Sequence, residues 1–170
     1  GQTPGLQIML AKWIVNREAG KVGEEHTSPM IKQLTFETYN KIFAPNRTEY
    51  DWLNSNTKAL DDYIQDPLRG ECFTAGLFRE LLSAMAFTGK KKELKKMDMD
   101  TPIHFVSGSK DPVGDCGKGV LRAYSNFKKV GVKEVSMKIY PELRHDILKE
   151  TGSNKIYGDI YKWLKKQIKK

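Results

Sequence analysis

The sequence is poor in the features that mark several specialised classes of protein. It has only two cysteines in 170 residues, Cys72 and Cys116. Their isolation fits neither a disulfide framework nor a zinc site, so both read as structural thiols in a reducing cytoplasm. No run of about 18 apolar residues occurs, so no segment reads as membrane-spanning. The stretch from Leu6 to Val15 is apolar but interrupted by Lys12. It also lacks the basic lead-in and small-residue cleavage site of a signal peptide. There is no internal repeat and no low-complexity tract. What remains is ordinary: 39% hydrophobic and 29% charged residues, the balance of a globular chain long enough to bury one core.

The formal charge of +8 raises the question of an anionic partner. The excess sits in Lys90, Lys91, Lys92, Lys95 and Lys96, and in Lys165, Lys166, Lys169 and Lys170. Clustered lysines can neutralise phosphates. These runs contain no arginine and no interleaved aromatics, so nucleic acid is not an expected partner. They read as solvated helical faces, with at most a weak pull toward anionic membrane surfaces.

The first two thirds of the chain read as helices. Leu6, Met9, Leu10, Trp13 and Ile14 recur at helical spacing, with Gly20 as a stop. Ser28 before Pro29 predicts a cap and a helix to about Asn40. Arg47 to Leu53 reads as a turn carrying Tyr50 and Trp52. Asn56 predicts a helix ended by Pro67, and Thr74 another with Leu77, Phe78, Leu81, Leu82 and Met85 inward. The last third differs. Pro102 to Val106 reads as a buried strand, Gly119 to Lys129 as a helix stopped by Gly131, and Val132 to Tyr140 as a second strand. A closing helix buries Ile160, Trp163, Leu164 and Ile168. Val120, Leu121, Tyr124 and Phe127 form the inner face of the crossover helix. This is a βαβα unit with parallel strands. Two parallel strands are not a stable sheet alone, so the unit looks incomplete.

In open α/β sheets ligands gather beyond the carboxyl ends of the strands. Two loops leave those ends, Ser107 to Gly114 and Pro141 to Asp146, and place Asp111 and His145 on one rim. A carboxylate beside an imidazole is the acid–base pair of acyl transfer. On spacing alone, that pair and an accidental neighbourhood stay equally open.

The segments Ser107-Gly108-Ser109-Lys110-Asp111-Pro112-Val113-Gly114, Tyr140-Pro141 and Arg144-His145-Asp146-Ile147-Leu148-Lys149-Glu150 resemble the end of the serine aminopeptidase-type α/β-hydrolases. That family includes monoacylglycerol lipases and bacterial lysophospholipases. Asp146 stands where its usual pattern has glutamate. Tyr39-Asn40-Lys41-Ile42-Phe43, Arg47 to Leu53 and Tyr63 to Leu68 are similar to its cap motifs. The resemblance implies an α/β fold: the C-terminal portion of an α/β-hydrolase with a mainly helical cap. Residues 1–27 would lead into the cap, 28–97 would form it, and 98–170 would be the C-terminal βαβα part of the core.

The resemblance further implies Asp111 as the acid and His145 as the base of a serine ester hydrolase. Val113 and Ile147 would line the pocket mouth, and Tyr39 and Trp52 would contact the acyl chain. The bland alternative makes the cap aromatics core residues. Asp115 is a weaker candidate acid, His104 reads as a sheet-face residue, and His26 has no evident partner. No metal or organic cofactor is implied. The nucleophile elbow Gly-x-Ser-x-Gly does not occur, and neither the oxyanion-hole loop nor the first five or six strands are recognisable. Two functions follow. One is a lipid or small acyl ester hydrolase completed by a serine from elsewhere. The other is a non-catalytic module that pairs through its open sheet edge with a missing half or with itself. Peptidase activity stays open, because one fold serves many leaving groups.

Overall fold

The computed structural model describes residues 2–69 and 73–168; Cys72, Lys169 and Lys170 lie outside them. Helix α1 runs over Gly5–Val22, α2 over Pro29–Lys32, and α3 over Thr38–Lys41, with a π-helical turn at Gln33–Glu37 between the last two. Helices α4 (Thr57–Gln65), α5 (Ala75–Thr88) and α6 (Lys91–Leu94) follow. Strand β1 (Ile103–Gly108), α7 (Lys118–Val130), β2 (Val135–Tyr140) and α8 (Asn154–Ile168) complete the order. None of these helices is long and apolar enough to cross a membrane.

Local chemistry sets most helix starts. Ser28, Asn56 and Thr74 each accept a hydrogen bond from the amide three residues on, which satisfies a donor that the first turn leaves free. Pro67 ends α4 because it keeps Asp66 extended, at ψ 115°. The single helix expected from Pro29 to Asn40 is instead broken by the π turn. Thr35 Oγ1 donates to the Ile31 carbonyl at 2.6 Å and Thr38 Oγ1 to the Gln33 carbonyl at 3.0 Å. Hydroxyls that compete for backbone acceptors loosen the regular ladder.

The face of α1 that packs is not the expected one. Ile8, Val15 and Ala19 are buried, and the last two pack with Ile31, Ala75 and Leu82. Leu6, Met9, Leu10 and Trp13 are 58–74% exposed. Helix α1 also runs through Gly20 and stops at Gly23, whose φ is 89°. On α5, Leu82 is buried with Phe78 and Met85 beside it, while Leu77 and Leu81 face out.

Strands β1 and β2 pair in parallel, from Ile103 opposite Val135 to Gly108 opposite Tyr140. They form a two-stranded sheet among the described residues. Strand β1 extends past Val106 to Gly108, and β2 starts at Val135 rather than Val132. Helix α7 crosses between them with Val120 and Ala123 buried, but Leu121 is exposed. Gly131 ends α7 in the left-handed region at φ 106°. Most of each strand is half-buried, and only Ser107, Gly108 and Tyr140 at the carboxyl ends are buried. A second core gathers Tyr140, Ile147 and Ile156 with Val106, Leu143 and Ile160. Leu164 and Ile168 of α8 lie outside it and are exposed, against expectation. Cys116 is also exposed and unpaired, so it is not a packing thiol.

Candidate active site

The site is built where two loops leave the strand ends together. The Ser109 amide donates to the Tyr140 carbonyl at 2.8 Å, the Lys110 amide to the Leu143 carbonyl at 2.9 Å, and the Glu142 amide to Ser109 Oγ at 2.8 Å. The backbones approach so closely at Gly108 that an added Cβ would lie 2.1 Å from the Leu143 oxygen and 2.3 Å from the Arg144 oxygen. Only glycine fits there. The first loop then curls Asp111 back over its own amides.

Asp111 is 7% exposed. Its Oδ1 accepts from the Val113 amide at 3.0 Å and lies 2.9 Å from His145 Nδ1. Its Oδ2 accepts from Ser107 Oγ at 3.4 Å. Burial pushes this carboxyl up. The hydrogen bond and charge of His145 and the amides of Gly114 and Val113 outweigh that and hold it below the usual carboxylate value. A carboxylate at Nδ1 makes that nitrogen the donor and leaves Nε2 as the acceptor.

Aromatic rings back the pair. The Trp52 ring centroid is 5.4 Å from that of His145, and Tyr39 is 5.6 Å from Trp52. Burial and the charge of Asp111 both raise the Tyr39 hydroxyl above its ordinary value. Trp52 is buried, with its indole N–H unpartnered. A cavity of about 260 Å³ opens beside His145, lined also by Asp146, Asn54, Leu60, Tyr63 and Lys149.

The structure therefore brings Asp111, His145, Trp52 and Tyr39 together, with Val113 exposed beside the acid. Ile147 belongs to the core under β2, and neither it nor Val113, Tyr39 or Trp52 lines this cavity. Asp115 pairs with Arg122 at 2.9 Å instead of with His145. His104 bonds Ser136 Oγ through Nδ1 at 2.7 Å and stacks on Trp163. The His26 carbonyl accepts from the Ala75 amide at 2.9 Å. The cavity residues Leu60 and Tyr63 of α4 were not legible in the sequence, because they share the spacing of an ordinary packing face.

Two parallel strands joined by a crossover helix, with a buried carboxylate on an imidazole beyond their carboxyl ends, have the pattern of an α/β-hydrolase. The chain belongs to the serine aminopeptidase S33 family, which matches residues 7–152. It is similar to a thermostable carboxyl esterase from Bacillus coagulans solved with glycerol, at 18% identity and a TM-score of 0.80, over 95% of this chain and 52% of that one. A lipase in an open form is similar at 20% identity and a TM-score of 0.69, over 87% and 47%. A soluble variant of monoglyceride lipase from Saccharomyces cerevisiae, solved with a substrate analogue, is similar at 17% identity and a TM-score of 0.61, over 84% and 53%. These likenesses show the fold. The chain spans about half the length of each of these structures. No curated protein matches it.

Proposed function

We propose that these residues serve a serine ester hydrolase acting on a lipid or other small acyl ester, with Asp111 as its acid and His145 as its base. The observation that carries this reading is the 2.9 Å contact of His145 Nδ1 with the buried Asp111 carboxylate. A serine from outside these 170 residues attacks the ester carbonyl. His145 Nε2 takes the hydroxyl proton and returns it to the leaving alkoxide, while Asp111 holds the ring and stabilises its charge. The reaction needs no metal or organic cofactor. Leu60 and Tyr63 give the cavity an apolar wall for an acyl chain. The glycerol-bound esterase and the monoglyceride lipase favour a glycerol ester. Sparse cysteine usage favours a cytoplasmic setting.

The half-buried strands favour a second reading, in which this chain is an assembly module. Parallel strands are normally covered on both faces, so another polypeptide or a second copy completes the sheet.

The test is turnover of short- and long-chain acyl glycerols, both by the 170-residue chain and by that chain joined to a polypeptide supplying the serine elbow. The chain alone is expected to be inactive. The completed enzyme is expected to lose about 10⁴-fold in kcat on Asp111→Asn and about 10⁶-fold on His145→Ala. Steady turnover by the chain alone would sink the reading. So would a completed enzyme indifferent to His145, or one that cleaves only peptide amides.

A further inference from the structure

The acid–base contact gives no role to Glu150, the most deeply buried carboxylate among the described residues. Glu150 is 2% exposed, less than Asp111, and lies five residues beyond His145. Its Oε1 accepts from the Arg144 amide at 3.0 Å and from the Ser55 amide at 3.2 Å, and its Oε2 accepts from the Ser55 hydroxyl. Three donors from two distant segments thus converge on one side chain. A carboxylate suits that convergence because it offers about four acceptor positions and no donor.

The effect is local to the histidine. The Arg144 amide before it is held by Glu150, and the Asp146 amide after it donates to the Leu53 carbonyl at 2.8 Å. Asn54 Nδ2 closes the same seam on the Asp146 carbonyl at 3.1 Å. The Arg144 guanidinium donates to the carbonyls of Asp51 and Asn54 and lies 4.2 Å over the Phe43 ring. With both flanking amides fixed, the imidazole has only its side-chain torsions left, and Asp111 and Trp52 restrict those. A loop residue is placed to fractions of an ångström only when its supporting shell is complete.

We propose that Glu150 is a positioning residue for His145: it fastens the 144–150 loop to segment 51–56 and so holds the imidazole on Asp111. The proposal rests on the Asp111–His145 reading above. It acts through backbone placement, not through contact with substrate.

The test reads His145 directly in the ¹⁵N-labelled 170-residue chain, through its ring nitrogen shifts and its low-field Nδ1–H resonance. The His104 ring, bonded to Ser136, is the internal control. In Glu150→Gln one acceptor becomes a donor. The His145 Nδ1–H resonance is then expected to be lost and its nitrogens to report mixed tautomers, with His104 and the far-ultraviolet circular dichroism unchanged. Ser55→Ala, which removes only the hydroxyl contact, is expected to weaken the resonance partway. A wild-type His145 signal in folded Glu150→Gln overturns the proposal. If Glu150→Gln does not fold, a wild-type signal in Ser55→Ala overturns it instead. Asp111→Asn separates the two ideas. If the resonance survives there, or is missing from the wild type, the acid–base reading falls and takes this one with it. If it is lost there but kept in Glu150→Gln, only the positioning role falls.

Discussion

At the carboxyl rim of the sheet, Asp51, Asn54, Ser107, Asp111 and Glu150 are each 7% exposed or less, and each has hydrogen-bond partners. Along the outer side of α1, Leu6, Met9, Leu10 and Trp13 are each more than half exposed. One region buries polar groups and the other leaves apolar groups in water. Dehydrating a carboxylate or amide is tolerated only where partners replace the lost water. The rim meets that condition with residues of this chain alone, Trp52 Nε1 being its exception. The α1 stripe, by contrast, is wider than the one face this chain covers. Polar geometry at the rim is therefore set internally, and the apolar pattern of α1 is not used up by the packing seen.

The sharpest way to break this contrast is at the rim. Gly108→Ala would drive a methyl to 2.1 Å from the Leu143 oxygen, and the obstacle is backbone rather than a flexible side chain. Forced overpacking of this kind costs roughly 3 kcal/mol. Denaturant unfolding is expected to show a loss of that order, together with a disturbed His145 resonance. A stability within 0.5 kcal/mol of wild type would mean that the two loops are not locked as described.

The same contrast explains what the sequence disclosed. Caps at Ser28, Asn56 and Thr74 were legible because each acts within three residues. The first strand was legible as a short apolar run and the second by the alternation of Val135, Met137 and Ile139 with polar residues, and with them the shared rim of Asp111 and His145, since parallel pairing follows from the intervening helix. The seam between segments 51–56 and 144–150 was not. Its contacts join residues 90 or more apart and use backbone groups, which carry no residue signature. The packing face of α1 was misread because two apolar stripes run along it, and periodicity cannot rank them. Ile147 was placed at the pocket mouth because it lies two residues beyond His145, but its side chain packs into the core with Tyr140 and Ile156.

A smaller effect tests the electrostatics of the rim. The Asp111 carboxyl sits below its ordinary value in the folded chain. It therefore adds stability above the unfolded value, near 3.9, and that contribution fades as pH falls through the lower folded value. Asp111→Asn is expected to cost roughly 1.5 kcal/mol at neutral pH, the scale of a charged hydrogen bond. The gap between variant and wild type should narrow as the pH is lowered from 5 to 3. A gap that stays constant would show that the charge contributes nothing.

The smallest expected effect lies on the other region, and its smallness is the point. Leu10 is 58% exposed and sits outside the α1–α5 core. Replacing it with glutamine removes little buried area, keeps helix propensity close to that of leucine, and leaves no polar group dehydrated. Leu10→Gln is expected to change the unfolding free energy of the 170-residue chain by less than about 0.5 kcal/mol. A fully buried leucine at the same place would lose 2 kcal/mol or more, by the usual cost of core truncation. Measured at several protein concentrations, the comparison becomes sharper. A loss that appears only at high concentration would mean that copies of the chain cover the stripe for one another, since association stabilises only by mass action. A large loss at every concentration would mean that α1 packs through Leu10 after all, and the two regions would no longer differ.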